Sequence, residues 1–222
     1  MGKLIVLEGT DGSGKSTQFQ SLCQRLQKDQ IPFRNVTFPQ YHEPSSALIK
    51  MYLGGEFGQK PGDVNAYAAS TFYAVDRYAS YRKVWQTEYE QGVLIITDRY
   101  TTSNAVHQGS KLQGKARKEF FQWLYDLEYV KMGLPKPDMV IYLDMPLELS
   151  VQLMRKRECD TQTTADIHER DEAYLSACRE AAQDAASYFH WKIISCAREG
   201  KIRTIANIQN EIFHLVQSCL AD

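Results

Sequence analysis

The stretch "LEGTDGSGKST" (residues 7–17) follows a short apolar run and precedes an amphipathic segment. Its spacing matches the pattern G-x-x-x-x-G-K-[ST] in full. In such a loop the backbone N–H groups of a glycine-rich turn point at phosphate oxygens, and the start of the next helix adds partial positive charge. Lys15 is placed to reach the β- and γ-phosphates, and Ser16 to coordinate Mg²⁺. The pattern predicts nucleoside triphosphate binding, without naming the reaction, by Gly9, Asp11, Gly12, Ser13, Gly14, Lys15, Ser16 and Thr17.

Short apolar segments alternate with longer amphipathic segments along the rest of the chain. Strands are predicted at 3–9, 33–38, 92–98, 137–145 and 191–196. Helices are predicted at 15–29, 45–53, 63–91 (capped by Asp63), 115–133, 146–157, 166–189 and 204–220. Five strands separated by helices predict an α/β protein with the three-layer P-loop NTPase fold, in which helices cover both faces of a five-stranded parallel sheet.

Length, charge and cysteine content narrow the class of protein. The 222 residues suit one domain. The 26 basic and 27 acidic residues give a net charge of −1, which argues against a binder of nucleic-acid polymers or of membrane surfaces. The amino terminus turns polar at Glu8 and no long apolar run occurs, so neither a signal peptide nor a membrane span is expected. The five cysteines are scattered without a C-x-x-C pair, as expected for reduced thiols in a cytoplasmic protein.

A second polar stretch, "ITDRYTTSNAVHQG" (96–109), follows the third predicted strand. In parallel sheets, ligands bind beyond the carboxyl ends of the strands. Asp98 is therefore placed to meet the Mg²⁺ of the first loop, and Arg99 to neutralise phosphate charge. The alternative is a helix-capping aspartate paired with its neighbouring arginine. A switch GTPase is disfavoured, because residues 98–101 read "DRYT" where that class has D-x-x-G, and no "NK" dipeptide occurs.

Taken together, "LEGTDGSGKSTQ", "YAVDR" and "DRYTTSNAVHQGSK", in this order and spacing, resemble the thymidylate kinase family of nucleoside monophosphate kinases. The resemblance extends over essentially the whole chain. It implies transfer of the ATP γ-phosphate to dTMP, which yields dTDP and ADP in nucleotide biosynthesis. ATP, dTMP and Mg²⁺ are the implied ligands, and a homodimer packed through long helices is the implied assembly. It further implies one kinase domain over residues 1–222, with a closing lid at about 155–170.

The resemblance also implies roles for individual residues around the acceptor nucleotide. Asp11 would hold the deoxyribose 3′-hydroxyl, and Tyr100 would pack near the sugar. Tyr73 would stack on the pyrimidine while Arg77 contacts its O4 atom; both lie on one helix face, since they are four residues apart. The alternatives are ordinary helix packing for the tyrosine and an ion pair for the arginine.

Two further positions would share the reading of the base. Asn104 and Gln108 are candidates to bind its N3–H group, and both could instead be solvent-facing loop residues. The helix end "RKR" (155–157) would supply the lid cations Arg155 and Arg157, or else form a solvated charge run. The candidate catalytic residues are then Lys15, Asp98, Arg99, Arg155 and Arg157.

One segment departs from the family pattern. Members usually carry an arginine after the second strand to grip the acceptor phosphate, but this chain reads "FPQYHEP" (38–44). Gln40 and Tyr41 occupy the candidate positions, next to Phe38. Two alternatives therefore stay open: a kinase for another nucleotide or a deoxynucleoside, and a P-loop protein that binds ATP for regulation without phosphoryl transfer.

Overall fold

Five parallel strands form the central sheet in a computed structural model, which describes residues 1–161 and 172–221. Their order across the sheet is β2-β3-β1-β4-β5. Their bounds are β1 Leu4–Gly9, β2 Phe33–Thr37, β3 Leu94–Asp98, β4 Met139–Asp144 and β5 Lys192–Ser195. All six residues of β1 are buried, as expected for the middle strand of a parallel sheet that is covered on both faces. The predicted fold class is confirmed.

Helices pack on both faces of this sheet. Their bounds are α1 Lys15–Lys28, α2 Ala47–Leu53, α3 Ala66–Ser80, α4 Gln86–Glu90, α5 Thr101–His107, α6 Gly114–Tyr125, α7 Leu147–Thr161, α8 Glu172–Phe189 and α9 Ile205–Ala221. Alternate residues of a strand point to opposite faces. Ile5 and Leu7 accordingly join one core cluster with side chains of α1 and α9, whereas Leu4 and Val6 join another with Trp85.

The register of the sheet brings three polar segments to one edge. Asp98 at the end of β3 lies opposite Leu7 of β1 and Thr37 of β2. The loop after β1, the segment after β2 and the start of α5 therefore emerge side by side. This edge is where the sequence placed its candidate site.

The predicted helix over 63–91 is wrong in two respects. Asp63 does not cap it: this residue ends a short 3₁₀ turn and accepts a hydrogen bond from the Lys60 amide at 2.9 Å. The cap is Asn65, whose side-chain oxygen accepts from the Ala68 amide at 2.8 Å. In addition, a π-helical turn (Tyr81–Trp85) separates α3 from α4.

Other elements go beyond the prediction. The helix α5 and a small antiparallel hairpin, β6 (Ala197–Arg198) with β7 (Lys201–Ile202), are additions. A second π-helical segment, Asp126–Lys131, continues α6. The predicted helix start at residue 166 and most of the predicted lid lie outside the described residues. Among those that are described, we find no helix with the length and hydrophobicity that a membrane span requires.

Candidate active site

The glycine-rich loop between β1 and α1 has a backbone that larger residues would not adopt. Gly12 and Gly14 have φ angles of 74° and 79°, a region that favours glycine. A Cβ atom on Gly12 would lie 2.5 Å from the carbonyl oxygen of Ser150 in α7, so that close approach also requires glycine. Gly14 precedes the first residue of α1, and no acidic side chain occupies the first turn of that helix. The helix amino terminus is thus left to attract an anion.

This loop lines a cavity of about 510 Å³, which we call the loop cavity. Its wall also includes Leu153 and Met154 of α7 and Asp98 at the end of β3. All eight residues predicted to bind the triphosphate except Gly9 line it. Gly9 lies directly behind, where a Cβ atom would collide with the Ser13 hydroxyl. The space suits a chain of phosphates, because backbone N–H groups and a cation converge on it.

Lys15 and Asp98 form an ion pair at the floor of the loop cavity. The lysine Nζ lies 2.7 Å from the aspartate Oδ1, and both side chains are largely buried. Ser16 follows Lys15 and is exposed to the same cavity. The hydroxyl and the carboxylate are oxygen ligands of the kind that Mg²⁺ prefers. The alternative for Asp98 was an ion pair with its neighbour Arg99, but the structure pairs the carboxylate with Lys15 instead.

Arg99 instead points toward the glycine-rich loop. Its Nη2 donates to Asp11 Oδ1 at 2.7 Å, and its Nη1 lies 2.8 Å from His107 Nε2. Burial raises the pKa of Asp11, but the positive charge of Arg99, with smaller contributions from His107 and Lys15, outweighs it and lowers that pKa to about 2. The aspartate is therefore ionised throughout the neutral range, and the pair is fixed in place.

A second cavity of about 210 Å³, the side cavity, opens on the other side of this pair. Asp11, Phe38 and Arg99 border both cavities. The remaining wall is made of Pro39, Tyr41, Tyr52, Leu53, Tyr73, Arg77, Tyr100, Ser103, Asn104, His107, Gln108 and Tyr174. Two ligands held in the two cavities would meet at the Asp11–Arg99 pair. Such an arrangement serves the transfer of a group from one ligand to the other.

The predicted base-contacting residues, Tyr73, Arg77, Asn104 and Gln108, all line the side cavity. Tyr73 meets Tyr52 edge-on, with ring centroids 6.5 Å apart. Asn104 and Gln108 lie on α5 and at its end, with exposed fractions of only 2% and 4%, so the solvent-facing alternative is wrong for both. The Gln108 side-chain oxygen has no hydrogen-bond partner in the described part of the chain. A buried oxygen without a partner is suited to receive a ligand's donor.

Arg77 and Tyr100 line this cavity but are also held from behind. Arg77 donates twice to the carboxylate of Glu128, with both distances 2.6 Å, and once to the Tyr100 carbonyl at 3.3 Å. Tyr100 is fully buried, and its hydroxyl donates to the Pro135 carbonyl at 3.0 Å. The alternative for Arg77 was an ion pair with Asp76 or a glutamate nearby in the sequence. The arginine does form an ion pair, but its partner is Glu128, and the pair coexists with a position on the cavity wall.

Gln40 is not brought into the site. Its side-chain amide donates to the Thr37 carbonyl at 2.6 Å, and its backbone amide donates to Asp76 Oδ2 at 2.8 Å. It is not among the described residues that line either cavity, whereas its neighbour Tyr41 is. Arg155 is exposed on α7. The side chain of the other lid candidate, Arg157, lies outside the described residues.

Two buried glutamates of the site were missed by sequence reasoning. Glu8, within the buried strand β1, accepts hydrogen bonds from Thr102 and Ser103 of α5, at 2.6 and 2.7 Å. Glu128 lies four residues after Leu124, a buried position of α6. In each case a carboxylate occupied a position that the pattern of apolar residues assigned to the core. An unpaired charge is costly in the core, so a carboxylate at such a position indicates a polar partner elsewhere in the fold. That was the signal available in the sequence.

Comparisons with known proteins agree with this geometry. A family model described as thymidylate kinase matches residues 7–208. The thymidylate kinase of Mycobacterium tuberculosis (strain H37Rv) is 31% identical over 175 residues, covering 76% of this chain and 78% of that protein. That of Synechococcus sp. (strain CC9311) is 32% identical over 193 residues, covering 86% of each. A solved structure of thymidylate kinase from Candida albicans has the same fold, with a TM-score of 0.71 at 23% identity, over 98% of this chain and 92% of that one. The chain belongs to the thymidylate kinase family.

Proposed function

We propose that this protein is an ATP-dependent dTMP kinase, which transfers the γ-phosphate of ATP to dTMP and releases dTDP and ADP. The observation that carries this is the meeting of the loop cavity and the side cavity at the Asp11–Arg99 pair. ATP phosphates would occupy the first cavity and dTMP the second. The arginine would then lie beside the phosphoryl group in transfer, where charge has to be neutralised.

The loop cavity supplies alignment and charge, which is most of what phosphoryl transfer requires of a protein. Lys15 would exchange its contact with Asp98 for a β- or γ-phosphate oxygen. The Ser16 hydroxyl and the Asp98 carboxylate are a donor set that fits Mg²⁺, and we propose that they hold it. Bound Mg²⁺ would neutralise phosphate charge next to the lysine.

The side cavity supplies recognition of the acceptor. Tyr73 offers a ring face to a pyrimidine, and Arg77 offers N–H donors to its O4 atom. Asn104 and Gln108 would bind the N3–H edge, while Asp11 and Tyr100 would contact the sugar. Since Gln40 lies away from the cavity, we assign the acceptor phosphate to Arg99, with Phe38 and Tyr41 closing that side.

We further propose that residues 1–222 form one kinase domain with a lid at about 155–170. Leu153 and Met154 of α7 border the loop cavity, and Arg155 and Arg157 follow directly. Cations that reach the ATP phosphates only when the lid closes stabilise the transition state more than the bound substrates. Neutralising the two arginines would then lower kcat more than it raises the KM for dTMP, and a change confined to that KM would place them elsewhere.

The assembly and the compartment are also proposals. On α3, Tyr67, Val75 and Tyr78 are exposed and share one face of the helix with Thr71. An exposed apolar stripe of this kind favours a homodimer packed through long helices. We propose small nucleotides as the ligands. The net charge of −1 argues against a nucleic-acid polymer or a membrane surface as a partner. The scattered cysteines favour a cytoplasmic location.

A coupled assay of ADP release from ATP across nucleoside monophosphates and deoxynucleosides tests the function. We expect dTMP to be preferred over dCMP by about 100-fold or more in kcat/KM, because a 4-amino group would oppose the donors of Arg77. Faster turnover of another nucleotide or of a deoxynucleoside would reassign the acceptor. ATP binding without turnover of any acceptor would remove the kinase activity altogether.

A further inference from the structure

A fully buried carboxylate contacts two residues of the side cavity, Arg77 and Asn104. Glu128, in the π-helical segment that continues α6, has no exposed surface. Its Oε2 accepts from Arg77 Nε at 2.6 Å and from the Thr101 hydroxyl at 2.8 Å, and its Oε1 accepts from Arg77 Nη2 at 2.6 Å. One edge of the guanidinium is thereby fixed, and the arginine cannot turn without breaking two charge-assisted bonds.

The same carboxylate fixes the orientation of an amide on the cavity wall. The Nδ2 atom of Asn104 lies 3.4 Å from Glu128 Oε1 and 3.2 Å from the Ser70 carbonyl oxygen. Both partners can only accept hydrogen bonds in this arrangement, so the amide must direct its NH₂ group toward them. The Asn104 oxygen is the atom left for the cavity.

We propose that Glu128 is a positioning residue that sets the hydrogen-bonding polarity of the base pocket, with Arg77 held as a donor and the Asn104 oxygen as an acceptor. This inference rests on the proposed dTMP kinase function. A donor next to an acceptor complements the C4 carbonyl and the N3–H group of thymine. It opposes the 4-amino group and the unprotonated N3 of cytosine, which would leave buried polar groups unpaired. Specificity would thus originate in a residue that does not itself touch the base.

A purely structural role for Glu128 makes a different prediction. Loss of a stabilising contact would impair every acceptor to the same degree, because the cavity would loosen for all of them. Loss of polarity control would impair dTMP and relieve the penalty against dCMP. The ratio of kcat/KM for the two acceptors separates these roles, whereas the KM for either one alone does not.

The test is Glu128→Gln, assayed with ATP and each acceptor. A glutamine offers an NH₂ group as well as an oxygen, so one of the two acceptors that orient the Asn104 amide is lost and only the Ser70 carbonyl still opposes its turning over. We expect the dTMP-to-dCMP ratio to fall by ~10-fold or more, with the KM for ATP unchanged. The matched control is Glu180→Gln, which also removes a carboxylate from a buried arginine, Arg117, but does so from an exposed position on α8. That control should leave the ratio unchanged.

A double-mutant cycle with Asn104→Ala is the second test, and Glu128→Asp, which keeps the charge but withdraws the carboxylate by one methylene, takes the place of Glu128→Gln in it if that variant unfolds. A wild-type ratio in folded Glu128→Asp then overturns the inference. If the glutamate acts through the amide, Asn104→Ala alone lowers the ratio, and in folded double variants the two effects do not add. A wild-type ratio in folded Glu128→Gln, or an unchanged ratio in Asn104→Ala, overturns the inference while the dTMP kinase assignment stands. A wild-type enzyme without preference for dTMP would instead overturn the proposed function.

Discussion

Lys15 is the residue that we propose to neutralise phosphate charge within the loop cavity. Its Nζ already lies in the cavity, held by Asp98 at 2.7 Å. We expect Lys15→Ala to lower kcat/KM by ~100-fold or more, since stabilising transferring phosphate charge is worth several kcal/mol. Steady-state kinetics with dTMP measures this, with Lys28→Ala, at the other end of α1, as the control. Near-normal turnover would show that the lysine is outside the site.

Asp11 gives the site a pH-dependent contribution to stability. Its pKa is lowered from 3.8 to about 2 in the folded protein. The ionised form therefore stabilises the fold above pH 3.8, and that contribution, about 2 kcal/mol, disappears as the pH falls through 2. We expect the stability difference between wild type and Asp11→Asn to be roughly half as large at pH 3 as at pH 7. Urea unfolding at both pH values measures it, and equal differences would contradict the lowered pKa.

At the scale of elements, helix α3 carries two of the proposed base-contacting residues, Tyr73 and Arg77, and its start is set by a side chain that the sequence pattern did not favour. Asn65 accepts from the Ala68 amide, whereas Asp63 belongs to the preceding turn. We expect Asn65→Ala to lower the free energy of unfolding by about 1 kcal/mol, the usual value of an N-cap. Asp63→Ala should lower the free energy of unfolding by less than this. Chemical denaturation of both variants measures the two losses, and a negligible loss for Asn65→Ala would contradict its assignment as the cap.

Helix α5 is held in place by contacts with residues of other elements. It is only seven residues long, too short to be stable by itself. Glu8 accepts hydrogen bonds from two hydroxyls in its first turn, and Glu128 accepts one from Thr101. Acceptors near the start of a helix also favour its dipole. These contacts, together with the packing of Ala105 and Val106 into neighbouring core clusters, hold Asn104 and Gln108 on the cavity wall.

At the scale of the whole molecule, the exposed stripe of α3 is the surface that a second copy would cover. Val75 and Tyr78 have exposed fractions of 50% and 40%. We expect Val75→Glu to convert a dimer to a monomer in sedimentation velocity, because a buried unpaired carboxylate is costly. Ile205→Glu, at a comparably exposed apolar position on α9, should not. A dimer that survives Val75→Glu would place the interface elsewhere, and a wild-type monomer would remove the homodimer proposal.

The sequence by itself determined the class of fold and the loop cavity. Both follow from local patterns: apolar periodicity sets the elements, and the spacing from Gly9 to Ser16 sets the phosphate loop whatever the rest of the chain does. The carboxyl ends of parallel strands share one edge of the sheet, so the position of Asp98 beside Lys15 was also predictable.

Only the tertiary structure decided which way the remaining side chains point. Arg77 meets a carboxylate 51 residues away, Asn104 turns inward to the same group, and Gln40 bends back to Thr37 outside the cavity. Side-chain direction at such positions depends on which partner the packing of distant elements presents. A buried charge or amide must find its partner wherever the fold has placed one. Spacing along the chain carries no information about that partner, so the polarity of the base pocket became visible only in the folded molecule.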